Sequence, residues 1–232
     1  MSTFLFKEFE RTTPIAWKQK IQVDLKGADY NETLLWTTNE GFTVKPFYTK
    51  EDKTNHAINL SKSTFKICQK IIISDEKKAN TLTIDALERG ANAIQFVAKK
   101  KFDPAILFDK IDFKSFTVYF KFTFLDAEFI HEISKYISSD NCFFQTDIIG
   151  SLAEVGNWFV NLKEDYKTLE GIVNTVENSI SVSGDLYQNA GANMVQQLAY
   201  SLAHANEYLN HFGAENAHKI HFEFSVGSNY FH

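Results

Sequence analysis
The chain has 232 residues and a mass of 26.6 kDa, room for one large domain or two small ones, and its 44% hydrophobic content supplies a full core, which excludes a disordered tail. With 24 basic against 29 acidic side chains the net charge is -5, so the broad cationic surface that a nucleic-acid backbone requires is not provided. Cys68 and Cys142 are the only cysteines; they form neither a disulfide framework nor a C-x-x-C metal knuckle, and this suits a reducing compartment. No run approaches the ~18 consecutive apolar residues of a membrane span. Met1-Ser2-Thr3-Phe4-Leu5-Phe6-Lys7-Glu8 has no apolar signal core, so the expected address is the cytoplasm.

In chain order, a short helix is predicted over 14–25, followed by a turn at Lys26-Gly27-Ala28-Asp29-Tyr30 and the stretch Glu40-Gly41-Phe42-Thr43-Val44-Lys45-Pro46-Phe47-Tyr48. Residues 1–60 read as an N-terminal, partner-contacting arm and 61–232 as the main domain. From Phe65 onward, β-branched and aromatic runs alternate with amphipathic segments, the rhythm of βα units and a parallel sheet. Strands are expected at 65–73, 93–97, 116–122, 142–148, 179–183 and 219–226. Helices are expected at 76–89, 103–110, 126–137, around 151–159, at 164–177 and at 190–212. In the last, Met194, Val195, Leu198, Ala199, Leu202, Ala205 and Leu209 share one face, predicted to pack on the sheet, with Gly213 as the C-terminal cap. The fold class is α/β: a partial or truncated (β/α)8 barrel of TIM type with about six parallel strands. Such a wall lacks two units of a closed barrel and leaves two strand edges open for self-association.

Several ordered strings carry a resemblance. They are Trp17-Lys18-Gln19-Lys20-Ile21-Gln22, Asp24-Leu25-Lys26-Gly27, Leu34-Leu35-Trp36 and the stretch from Glu40 to Tyr48. Further on come Asn178-Ser179-Ile180-Ser181-Val182-Ser183-Gly184, Gln188-Asn189-Ala190-Gly191-Ala192, Leu198-Ala199-Tyr200-Ser201-Leu202-Ala203 and the run from Phe222 to Phe231. Together they resemble the N-terminal barrel domain of the methylmalonyl-CoA mutase family over nearly the whole chain. The resemblance implies a coenzyme-A-thioester isomerase that uses adenosylcobalamin to start radical chemistry, with the thioester threaded along a barrel axis.

Three departures set this chain apart from the family's catalytic members. Those run Ser-Gly-Tyr-His-Met-Gln-Glu-Ala-Gly-Ala after the fifth strand, whereas this chain reads Ser183-Gly184-Asp185-Leu186-Tyr187-Gln188-Asn189-Ala190-Gly191-Ala192. Asp185 and Leu186 replace the Tyr-His pair, and leucine can neither donate a hydrogen bond nor move a proton. An Arg-Asn-Thr-Tyr stretch is replaced by Asn161-Leu162-Lys163-Glu164-Asp165-Tyr166-Lys167, and Arg11 and Arg89 are the only arginines, so bidentate carboxylate and phosphate recognition is poorly provided for. Lys163 and Lys167 read as a solvated helix start. At the first strand, Phe65-Lys66-Ile67-Cys68-Gln69-Lys70-Ile71-Ile72-Ile73 lacks the tyrosine that catalytic chains bring over the cofactor.

These features are most similar to the non-catalytic small (beta) subunit of heterodimeric mutases. That likeness implies no catalytic residue, no metal and no cofactor bound by this chain, with adenosylcobalamin in a catalytic large-subunit partner. No Asp-x-His-x-x-Gly string, the source of the lower axial ligand, occurs among His56, His131, His204, His211, His218, His221 and His232. Asp185, Tyr187 and Gln188 are the weak substrate-binding candidates. The alternatives are a catalytically competent relative acting on another thioester, and a self-associating interaction module.

The remaining polar residues have simpler readings. His218 and His221 point to opposite faces and make a weak metal pair. His204 reads as a partly buried, hydrogen-bonded side chain. Asp126, Glu128, Glu164 and Asp165 read as helix-start charges, Lys99-Lys100-Lys101 as a solvated loop, and both cysteines as small core residues.

Overall fold
The structure is a computed structural model, and it describes residues 8–10, 12–53 and 65–227. These fall into two compact units, one on each side of residue 62.

In the first unit, Thr13 accepts the Ala16 N–H and Pro14 opens helix α1 (Pro14–Asp24). Lys26 and Gly27, both at positive φ, turn the chain, and Asp29 caps α2 (Tyr30–Leu34). Strands β1 (Trp36–Thr37) and β2 (Thr43–Val44) pair antiparallel. Thr49 and Asp52 form a capping box around one 3-10 turn, and Lys45 pairs with Asp52 at 2.8 Å. The Lys45 ammonium and the Thr49 donors hold the Asp52 carboxyl down at about 2. α1 buries none of its residues, and Ile15, Trp17 and Val23 are exposed.

In the second unit, β3 (Cys68–Ile73), β4 (Ala93–Ala98), β5 (Thr117–Phe122) and β6 (Cys142–Phe144) pair in parallel in chain order. β7 (Ile180–Ser183) and β8 (Ile220–Glu223) form a second parallel pair. Phe144 N–H donates to Asn178 O and Ser181 N–H to Thr146 O, each at 2.9 Å, so the two ladders join into one wall of six parallel strands. The helices between them are α3 (Glu76–Glu88), α4 (Pro104–Leu107), α5 (Ala127–Ser134), α6 (Ile148–Val155), α7 (Leu162–Val173), α8 (Gly184–Asn189) and α9 (Met194–Phe212). The architecture is an incomplete (β/α) barrel.

Strand alternation divides the wall into two chemistries. Outward side chains, Ile71, Ile94, Phe96, Val118, Phe120, Cys142 and Phe144, form a core with α3, α5 and α7 in which Phe96, Phe120 and Phe144 stack at 5.4–5.5 Å. Burial pushes the Cys142 thiol up to about 12, so it remains protonated. A second core joins Ile180 and Val182 to Leu169, Val173, Ala205 and Tyr208. The inner face is polar.

Several helix expectations need correction. The helix expected around 151–159 starts earlier, because Asp147 caps α6 at the Gly150 N–H, and it ends where Gly156 turns left-handed at φ 77°. The helix expected over 103–110 is a single turn. The helix expected over 190–212 starts later, at Met194: Gly191, at φ 99°, turns the chain after the short helix α8, which is not among the expected helices, and a box of Asn193 and Gln196 opens α9. The buried face of α9 is also not the apolar one. Gln197, Ser201, His204, Ala205 and Tyr208 are buried, while Met194, Val195, Leu198 and Leu202 are exposed. The polar face turns inward because it meets fixed polar partners: Asp147 takes His204 and Tyr208, and Ser225 O takes Gln197. Cys68, expected in the core, is exposed on β3.

Candidate functional site at the strand C-termini
Residues at the ends of β4 to β7 and the turns after them enclose a cavity of about 530 Å³. Val97, Phe122, Phe124, Leu125, Trp158 and Phe159 give it an apolar and aromatic wall, and Lys121, Asp147, Glu154 and Asp185 bring charge to it. This is the end of a (β/α) wall at which strand termini present side chains to a ligand.

Asp147, at the start of α6, organises the cavity's base. Its Oδ1 accepts from Gly150 N–H at 2.7 Å and the Tyr208 hydroxyl at 2.7 Å and lies 2.9 Å from His204 Nε2 as an ion-pair contact, and its Oδ2 accepts from Ser183 N–H at 2.8 Å. Burial would raise this carboxyl, but the donors led by His204 outweigh it and hold it below its ordinary range. Tyr208 OH in turn accepts from Ile149 N–H at 3.1 Å, and His204 Nδ1 lies 3.0 Å from the Tyr187 hydroxyl. One carboxylate thus ties α6, β7, α8 and α9 together.

The four residues singled out after the fifth barrel strand do not converge. Asp185 and Leu186 line the cavity. Tyr187 turns away to His204 and packs its ring on Tyr200 at 5.4 Å. Gln188, with its amide oriented by its partners, donates to Ser225 O at 2.5 Å and accepts from Gly227 N–H at 3.0 Å, so it clamps the chain's own backbone. Lys163 and Lys167 are exposed on α7, where Asn161 supplies the cap. Asp165 is buried, accepting from Phe159 and Val160 N–H at 2.8 and 3.0 Å, which fixes the cavity's Trp158–Phe159 wall.

Along the inner wall, Gln95 donates to Gln145 at 2.6 Å, Tyr119 stacks on Phe143 at 5.2 Å, and His221 meets Phe143 edge-on at 5.6 Å. Among the described residues neither ring nitrogen of His221 finds a hydrogen-bond partner, both are enclosed, and burial lowers this imidazole to about 4 despite the field of Asp147. Strand parity separated it from His218; its packing on Phe143 had no sequence signal. Glu223 accepts from Ser181 Oγ at 2.9 Å and lies 3.6 Å from Lys121; burial raises its carboxyl against both. His218 pairs with Glu177 at 3.3 Å, away from His221. Among the described residues no three His, Cys, Asp or Glu side chains converge as metal ligands do, and no helix is long and apolar enough to cross a membrane.

Parallel strands in chain order, helices on their outer face and a cavity at their carboxyl ends define a protein of the (β/α)-barrel class. Within that class the family model described as Methylmalonyl-CoA mutase matches residues 98–232, more than half of the chain. The chain belongs to the methylmalonyl-CoA mutase family. It is 27% identical over 267 residues to a methylmalonyl-CoA mutase small subunit of Porphyromonas gingivalis, a match that covers 98% of this chain and 42% of that protein. A methylmalonyl-CoA mutase of Cereibacter sphaeroides is 45% identical over 60 residues, covering 23% of this chain and 8% of that protein. The chain spans about two-fifths of the length of the small subunit it matches.

Proposed function
We propose that this chain is a small-subunit-like, non-catalytic part of an adenosylcobalamin-dependent methylmalonyl-CoA mutase, supporting a catalytic large subunit in a cytoplasmic heterodimer. The observation that carries the reading is Leu186 on the cavity wall: an aliphatic group, which cannot itself donate to a thioester oxygen, stands where catalytic relatives hold an imidazole. Restoring that imidazole from elsewhere on the inner wall is not open to His221, whose nitrogens are enclosed.

The described side chains do not fit the cofactor either. His204 and His218 are engaged by carboxylates, His211 packs on Tyr166 and Phe212, His221 is enclosed and His131 lies on the outer surface of α5. None is poised at the cavity as an axial ligand, so adenosylcobalamin is assigned to the partner. Residues 1–60 act as the partner-contacting extension and 61–232 as the barrel domain. The exposure of Ile15, Trp17 and Val23 on a helix that buries nothing supports that role for the arm.

Co-expression with a mutase large subunit and size-exclusion chromatography tests the assignment. A stoichiometric complex is expected, and deletion of 1–60 is expected to weaken it. Separate elution of the two chains at micromolar concentration would count against the support role.

A further inference from the structure
Asp147, Glu154 and Asp185 line the cavity at the strand C-termini, and Glu223 lies close to it through Lys121; the partly buried members of this set differ sharply in their partners. Asp147 receives three donors, at 2.7 to 2.8 Å, and the His204 ring lies 2.9 Å from it. Glu223 receives the Ser181 hydroxyl and lies 3.6 Å from the Lys121 ammonium, and so engages the one cationic side chain that lines the cavity among the described residues. Asp185 receives none: among the described residues nothing donates to its carboxylate, and its Oδ1 is enclosed without a partner. Its charge also adds to that of Glu223 nearby. A carboxylate partly withdrawn from water and left without a donor is costly. Here that group sits on the wall of a space of about 530 Å³ whose lining also includes Phe122, Phe124, Trp158 and Phe159.

A ligand that completes this wall needs two things, an apolar or aromatic body for the rings and a cationic donor for the carboxylate. We propose that the cavity is a binding site for a small organic cation, an ammonium or guanidinium carried on a hydrophobic body, with Asp185 as the counter-ion. The preference is opposite in sign to that of a site built for a carboxylate-bearing acyl group, because Asp147, Glu154 and Asp185 outnumber the single Lys121 around it. The aromatic faces add cation–π attraction to the same charge. Leu186, beside Asp185, contributes to the apolar wall. The site stands whether or not the chain supports a catalytic partner.

The test is a titration of the whole chain with a matched pair of probes, 2-phenylethylammonium and 3-phenylpropanoate, followed by the indole N–H resonance of Trp158. Saturable binding of the ammonium probe in the millimolar range or tighter is expected, as suits a fragment of this size. It should exceed the carboxylate probe by about tenfold or more and weaken as salt is raised. Asp185→Asn should weaken the ammonium probe about tenfold, with circular dichroism confirming the fold; Asp185→Ser serves if D185N does not fold. Equal or reversed preference, unchanged affinity in the Asp185 variants, or no saturable binding of the ammonium probe would overturn the proposal.

Discussion

Acid should weaken this protein through His221, and the size of the effect follows from the ring's surroundings. The imidazole lies on the inner wall against Phe143, both nitrogens are enclosed, and burial lowers it from 6.5 to about 4. The unfolded chain therefore takes up the proton at higher pH than the folded one. Stability from this residue is fully present above about pH 6.5 and is lost as pH falls toward about 4. At about 1.4 kcal/mol per pH unit of difference, the full loss is about 3 kcal/mol, with most of it in place by about pH 4.5. Burial raises the Glu223 carboxyl and the Asp147 carboxyl is lowered, so carboxyl groups also contribute to the acid response and the measurement is a difference. Urea unfolding of the parent chain and of His221→Phe should be compared near neutrality and near pH 4.5. The variant keeps an aromatic ring against Phe143 and has no basic nitrogen. Its stability should fall less on acidification, by about 2–3 kcal/mol. Parallel losses in the two proteins would show that the imidazole protonates freely in the folded state, and the enclosure argued for it would be wrong.

Other substitutions probe the joints around the cavity. A methyl group at Gly184 would lie 2.7 Å from Glu223 O, 2.7 Å from Ser201 Oγ and 3.0 Å from the Phe224 ring; since a backbone carbonyl cannot swing aside, Gly184→Ala should lower stability by about 1–3 kcal/mol in chemical denaturation. Tyr208→Phe removes the hydroxyl that donates to Asp147 and accepts from Ile149 N–H, both buried, and should lose about 1–3 kcal/mol in the same assay; no change would mean that the phenol is idle. Leu198→Gln and Leu202→Gln, on the exposed stripe of α9, should each change the stability of the isolated chain by no more than about 0.5 kcal/mol, whereas Ala205→Gln on the buried face should be strongly destabilising.

The strands were legible because they are short runs rich in β-branched and aromatic residues, such as Ile71 to Ile73 and Val118 to Phe122, which no helix period explains. The helix starts were legible where a capping side chain precedes them, as with Asp75 at α3 and Asp126 at α5. The orientation of α9 was not. Periodicity ranks faces by hydrophobicity, but here His204 and Tyr208 have a buried acceptor in Asp147, more than fifty residues away in sequence, and long-range pairing leaves no local mark. The same limit hid the fate of Tyr187 and Gln188. Adjacent in sequence to Asp185 and Leu186, they occupy other sides of a short helix, so only the first two of the four reach the cavity. Asp165 reads as a helix-start charge, yet its carboxylate holds the Phe159–Val160 turn. Membership of the family was carried by ordered strings rather than by any one motif, and the match over residues 98–232 supports it.

Isomerase turnover is the most direct test of the support role. The purified chain, supplied with adenosylcobalamin and methylmalonyl-CoA, should form no succinyl-CoA above the rate without protein, and activity should emerge only when a catalytic large subunit is added. Saturable formation of succinyl-CoA by this chain alone, abolished by substituting Asp185 or Tyr187, would contradict it.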